Sequence, residues 1–128
     1  MHIETRLIIL HIDFETGSQK CLLQDGKLPS CFVQEGHPEL CCSGMLEECL
    51  QIEPEWVSFP LVCIDTEWQK LTQDDGIWDV EVLVIYYTCL IPAVVKNHCG
   101  EWADIGSIED GNIQKIVFQA GTRAYSRF

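Results

Sequence analysis

The sequence predicts an α+β fold, an α/β/α sandwich in which a mixed sheet carries one helix on each face. Three observations predict it. Strand-like segments and helical segments alternate in the order β-β-β-α-β-β-β-α, each helical segment carries one apolar stripe, and two of the strands are apolar on both sides. A strand without a polar face must be covered above and below, which places a layer of helix on each side of the sheet.

The elements follow in chain order. Arg6 to Phe14, rich in Leu and β-branched residues, reads as a buried strand. Glu15-Thr16-Gly17-Ser18 is a turn and Lys20 to Gln24 a second short strand, so the two form a hairpin. Asp25-Gly26 turns the chain into Leu28-Pro29 and the strand-like Cys31-Phe32-Val33. Gly36-His37-Pro38 marks a helix start, since proline suits the first helical position. From Pro38 to Leu50, Cys42, Met45, Leu46 and Cys49 recur at helical spacing as an apolar stripe, while Glu39, Ser43 and Glu47 make a polar row. Pro54 follows as a stop.

Trp56 to Trp68 reads as a strand in which Pro60 marks an edge or a bulge. Gln73-Asp74-Asp75-Gly76 is a turn. Trp78 to Ile91 begins by alternating, with Asp79 and Glu81 on one face, and then becomes apolar throughout. Glu101 to Ile108 is a further short strand and turn. Asp110 or Asn112 caps a last helix whose buried stripe is Ile113, Ile116, Val117 and Ala120. No repeat, linker or low-complexity tract breaks this order, and 128 residues are expected to make one domain, 1–128.

Charge narrows the partners. Eight basic residues stand against twenty acidic ones, a formal net charge of −12. The basic residues are scattered, so neither a nucleic-acid backbone nor an anionic membrane is an expected partner. MHIETRLIILHIDFE lacks the pattern of a secretion leader, and no apolar run approaches the ~20 residues of a membrane span. The expected compartment is the cytoplasm. There most of the eight cysteines read as small apolar core residues. Zinc is the sharper alternative, drawing on Cys31, His37, Cys41 and the pair His98-Cys99, but no Cys-x-x-Cys pair supplies the usual spacing. Cys31 with His37 as nucleophile and base is weaker still, because a strand-to-helix loop does not bring them together by itself.

Leu28, Pro29, Val33 and Gly36, in LPSCFVQEGH, match the Leu-Pro-Gly-Gly-x-Val-Glu-x-Gly-Glu opening of the Nudix motif at its spacing. Glu101-Trp102-Ala103-Asp104-Ile105 is similar to the acidic-x-Trp-Val strand near the end of many members, and a terminal helix follows. The chain thus resembles the Nudix superfamily over most of its length. The resemblance implies a Nudix-like mixed sheet flanked by helices and hydrolysis of nucleoside diphosphates linked to another moiety. It also implies Mg²⁺ or Mn²⁺ held by glutamates on the first helix, where the ion polarises the diphosphate.

The sequence departs from that motif where the chemistry resides. Aligned without gaps, the motif's first glutamate is His37, its Arg-Glu pair is Met45-Leu46, and its later glutamates are Cys49 and Leu50. A one-residue deletion gives Gly44-Met45 and Glu48-Cys49 instead. Three function classes follow. The first is a degenerate Nudix-fold protein, non-catalytic or weakly catalytic, that binds a nucleotide or a nucleoside-diphosphate-linked ligand. The second is an active Mg-dependent pyrophosphohydrolase whose metal ligands are relocated to Glu47, Glu48 and Glu101, with Glu47 and Glu48 as catalytic candidates and Glu35 and Glu39 nearby. The third is a scaffold for a protein partner. Arg6 and Lys27, with Lys20, are the cations near the first hairpin that a phosphate would meet; Trp56, Tyr86, Tyr87 and above all Trp68, Trp78 and Trp102 are the aromatic candidates for stacking on a base. No cofactor is assigned outside the hydrolase reading, and whether the chain is an enzyme stays open.

Overall fold

Leu7-Ile8-Ile9-Leu10 carries no polar side chain on either side, and all four residues are fully buried. They form the middle of β1 (His2–Ile12), the central strand of a six-stranded mixed sheet. The structure, a computed structural model, describes residues 2–13, 15–33, 36–50, 59–72, 79–91 and 100–126.

On one edge β1 pairs in parallel with β5 (Asp79–Leu90), from His2 opposite Val82 to Leu10 opposite Leu90. On the other it takes two short antiparallel strands, β2 (Gln19–Leu23) along its C-terminal half and β3 (Ser30–Phe32) beside Glu4 to Arg6. The β4 strand (Phe59–Thr72) pairs with β5, and β6 (Glu101–Asp104) with β2, giving the order β4-β5-β1-β2-β6.

Alternation along the strands sorts the core into two layers. Leu7, Ile9, Leu22, Tyr87, Cys89 and Ile91 meet helix α1 (Pro38–Leu50), which buries Cys42, Met45, Leu46, Cys49 and Leu50 against them. Ile8, Leu10, Ile12, Leu23, Val82 and Val84 meet Ile116, Val117 and Ala120 of helix α2 (Gly111–Ser126). The expected architecture is therefore the observed one. Of the two caps open for the last helix, Asp110 is the one used: its Oδ1 accepts the backbone N–H of Asn112 at 2.9 Å and of Ile113 at 3.2 Å. Among the described residues the two buried polar side chains, Thr5 and Thr88, donate to the carbonyls of Cys31 (3.3 Å) and Ile8 (3.1 Å).

Several boundaries move. β1 starts at His2 rather than Arg6 and ends at Ile12, because its limits are set by the ladder to β5 and β2 and not by its own apolar run. β4 continues past Trp68 to Thr72, following its ladder down to Asp79. The register of β4 shifts between Phe59 and Val62, where Pro60 lacks an N–H to donate. The end strand stops at Asp104, where a 3-10 helix, Ile105–Ser107, takes over. Gly100, just before β6, has φ +99, and a Cβ there would collide with the carbonyl oxygen of Leu23. Pro54, Trp56 and the turn Gln73 to Gly76 lie outside the described residues. No described helix is long and apolar enough to cross a membrane.

Candidate functional site

On the α2 side of the sheet the apolar layer gives way to polar residues where β1, β5 and β4 lie side by side. Register brings them together. Arg6 sits beside Tyr86, which sits opposite Asp65, while Glu4 and Glu67 flank Val84 one step along. Arg6 Nη1 donates to the Tyr86 hydroxyl oxygen at 3.1 Å, and that hydroxyl donates to Glu67 Oε1 at 2.5 Å. Gln69 Nε2 donates to the same oxygen at 2.6 Å, and Arg6 Nη2 donates to Gln69 Oε1 at 3.1 Å. Four side chains thus close a ring of hydrogen bonds. Glu4 braces it from outside the ring, accepting from Arg6 Nη2 at 3.2 Å and Nε at 3.4 Å. The guanidinium carbon also stands 5.7 Å from the centre of the Tyr86 ring.

Burial and charge shape the two titratable partners. Desolvation pulls the Arg6 pKa down, but the hydrogen bond to Glu4 and the neighbouring acidic groups outweigh it, so the guanidinium is held more firmly charged than usual. Burial pushes the Tyr86 phenol up to about 12, and its hydrogen bond to Glu67 adds to the effect against the pull of Arg6. Arg6 and Tyr86 consequently both keep their protons across the ordinary pH range.

This ring floors a cavity of about 700 Å³ roofed by the first turns of α2. Lys27, Leu28 and Ser30 form one wall, and Asp110, Asn112, Ile113, Ile116 and Gln119 the roof. Its charged lining is four acids (Glu4, Asp65, Glu67, Asp110) against three bases (Arg6, Lys27, Lys115), one net negative charge. Such a lining presents many hydrogen-bond donors and acceptors beside a few apolar contacts, the character of a site for a small polar molecule. Anionic groups have Lys27 and Lys115 to meet, since most of the Arg6 donors are taken up by Glu4, Tyr86 and Gln69. A second cavity, about 720 Å³, lies across α2, between Gly17–Gln19, Asp104–Gly106 and the exposed Phe118, and Lys115 borders both.

The other residues singled out from the sequence lie elsewhere. Glu47 and Glu48 are on the exposed side of α1 and Glu101 is exposed at the start of β6. Among the described residues no three His, Cys, Asp or Glu side chains gather into a group able to hold a metal. Met45, Leu46, Cys49 and Leu50, at the motif's acidic positions, are buried in the core. Thioether, thiol and aliphatic groups do not ligate a hard cation such as Mg²⁺, so α1 does not fit the metal that the resemblance implies. Trp68 is 60% exposed on β4 and Trp102 packs half-buried against the cluster under α1; neither borders either of these two cavities. Trp78, Glu35, His98 and Cys99 lie outside the described residues.

Sequence reasoning missed Glu4, Glu67 and Gln69, and named Tyr86 only among the aromatic residues for stacking. The signal was present as polar pairs at i, i+2, Glu4 with Arg6 and Glu67 with Gln69, which share a face on a strand.

No family model and no curated protein matches this sequence. Solved structures do match. The NUDIX domain of Shewanella oneidensis NrtR, in complex with ADP ribose, superposes with a TM-score of 0.64 at 13% identity, over 95% of this chain and 87% of that one. NrtR complexed with a 27mer DNA superposes at 0.63 and 13% identity, over 98% of this chain but 63% of that one. A mutT/nudix family protein from Listeria innocua gives 0.66 at 14% identity, over 98% and 97% of the two chains. The C. elegans Ap4A hydrolase gives 0.59 at 15% identity, over 96% and 97%. The mixed sheet with its two flanking helices superposes on these structures over nearly its whole length: the chain has the Nudix fold.

Proposed function

We propose that this chain is a Nudix-fold binding protein for a small nucleotide-derived molecule, held in the cavity between the sheet and α2, with little or no hydrolytic activity. The observation that carries this reading is the closed ring of Arg6, Tyr86, Glu67 and Gln69 on the cavity floor. A rigid floor of satisfied polar groups recognises a ligand's hydrogen-bonding edge without first having to be ordered. Asn112 and Gln119 offer further donors and acceptors from α2, and Lys27 and Lys115 meet the phosphates. ADP ribose in the NrtR domain supplies a ligand class of suitable chemistry. A lining of net −1 in a chain of net −12 makes phosphate binding modest and salt-dependent. Nucleic acid and membrane stay outside this reading for the same electrostatic reason.

The test is a thermal-shift series with ADP, ADP-ribose and diadenosine tetraphosphate, run beside a phosphate-release assay with Mg²⁺ or Mn²⁺. A ligand at a hundred times its Kd stabilises by about 2.7 kcal/mol, which a melting curve resolves. Gln119→Ala and Lys115→Ala are expected to reduce the shift, and Glu47→Gln to leave it unchanged. Metal-dependent turnover that falls in Glu47→Gln or Glu48→Gln would restore the hydrolase reading. No shift with any of the ligands would favour the scaffold reading.

A further inference from the structure

Helix α2 carries a second stripe beside the one it buries. Gly111, Gln114, Lys115 and Phe118 recur at i, i+3, i+4 and i+7 and line the second cavity, about 720 Å³. Phe118 is 65% exposed there, an aromatic side chain that the fold leaves uncovered. Gly17, Gly106 and Gly111 also line it, and a Cβ built on any of them meets nothing within 4 Å. The space is open, but its frame is fixed. Near the start of α2, Gln114 Nε2 donates to the Ile105 carbonyl at 3.0 Å and ties the helix to the 3-10 turn. Further along, Gln19 of β2 lies against Gly121, where an added Cβ would lie 2.6 Å from its Oε1. The hairpin turn before Gln19 is held by its own side chains. Asp13 Oδ1 accepts the backbone N–H of Glu15 at 2.9 Å, and Thr16 Oγ1 accepts that of Ser18 at 3.2 Å.

Each part of this lining selects for a feature of the ligand. Phe118 offers a face on which a flat ring stacks, and Ile105 adds apolar surface beside it. Glycine walls admit a planar body close to the backbone, where side chains would keep it away. Lys115 supplies a positive charge, and among the described residues it has no ion pair. Asp104 is the one described carboxylate in the lining, so base and acid balance. A neutral lining with one available ammonium suits a single negative charge and disfavours a polyphosphate, while Asp104 can accept an N–H from the ring. We propose that the second cavity is a binding site for a small planar aromatic acid, its ring on Phe118 and its carboxylate on Lys115. The site does not depend on which ligand the polar cavity takes, because Lys115 is the only lining residue the two cavities share.

The experiment titrates indoleacetate, and separately its uncharged analogue indoleacetamide, into the full chain and follows the backbone amides by NMR. Indoleacetate is expected to shift the amides of Ser18, Gly106, Gly111, Lys115 and Phe118 in a saturable way. It is expected to bind about two- to fivefold more tightly than the amide, the worth of an exposed ion pair. Lys115→Gln removes that preference, and Phe118→Ala weakens both probes. Gly111→Leu fills the open space and abolishes binding of both. All three positions are exposed, so these variants keep the fold, which the amides far from the cavity verify in the same spectra. No saturable shift of these amides at millimolar probe, or shifts centred on Trp68 or on the polar cavity, overturns the proposal without recourse to any variant. Unchanged affinity in Gly111→Leu, or equal affinity for acid and amide in the wild type, overturns it as well.

Discussion

Replacing Arg6 by methionine keeps most of the side chain's bulk and removes its charge and its donors. The ring of hydrogen bonds then opens at two points, and Glu4 keeps its negative charge without a cation beside it. The size of the effect follows from burial. The side chains of Arg6 and Glu4 are 27% and 14% exposed, so the pair lies between two limits. An exposed ion pair is worth about 0–1 kcal/mol, whereas removing one partner of a buried pair costs about 3–5 kcal/mol. About 2 kcal/mol is expected here, which at a urea m-value of ~2 kcal/mol/M lowers the unfolding midpoint by about 1 M. The diagnostic is the second substitution. If the cost is chiefly the stranded carboxylate, adding Glu4→Gln to Arg6→Met recovers about 1 kcal/mol, because removing both charges is far cheaper than removing one. Urea unfolding of the wild type, both single variants and the double variant measures the coupling. A loss below about 0.5 kcal/mol for Arg6→Met, or a double variant no more stable than Arg6→Met, refutes the reasoning.

Three further outcomes follow from the same geometry. Gly100→Ala is expected to destabilise the chain by about 3 kcal/mol or more in urea unfolding, since a left-handed φ alone costs ~1–3 kcal/mol and the new Cβ also meets the Leu23 carbonyl. Leu46→Ala, in the buried stripe of α1, is expected to cost about 2–5 kcal/mol, while Glu47→Ala on the exposed side stays within about 0.5 kcal/mol of wild type; equal costs would contradict the assigned faces of the helix. Tyr86 and Tyr87 are both pushed up to about 12, burial being the first cause in each, so near-ultraviolet titration should show two phenols ionising well above the ordinary range. A raised phenol pKa means the folded state holds the proton more tightly. The stability it confers is therefore complete below pH ~10 and is lost as pH rises toward 12, and Tyr86→Phe should remove one of the two late transitions.

The fold was legible because its strongest signals are local. Leu7 to Leu10 announces a strand covered on both faces, and the spacing of Cys42, Met45, Leu46 and Cys49 puts four apolar side chains on one side of a helix. Strand ends were read less well, since they depend on where the neighbouring ladder stops: β1 reaches back to His2 only because Val82 is there to pair with it. Of the binding candidates, Arg6 and Lys27 do border the polar cavity. The rest of its floor was hidden by sequence distance. Glu4, Glu67 and Tyr86 meet only through the order β4-β5-β1, and no single segment carries the pattern. An aromatic residue on a strand advertises stacking equally well whether it packs partly on the core, as Trp102 does, or faces solvent, as Trp68 does.

The placement of α1 and of the cavity on opposite sides of the sheet has a bearing on how the two could diverge. Every described residue lining the cavity belongs to β1, β4, β5, α2, or the segments joining β2 to β3 and leading into α2, apart from Ser30 at the start of β3; none belongs to α1. Apolar residues at the motif's acidic positions therefore add to the packing beneath α1 without removing a single cavity contact. The packing beneath α1 and the lining of the cavity lie in separate layers of this molecule, and one layer can be rebuilt for stability while the other is kept. The carboxylates that remain on α1, Glu39 and Glu47 among them, face away from the core, where they cost nothing in packing.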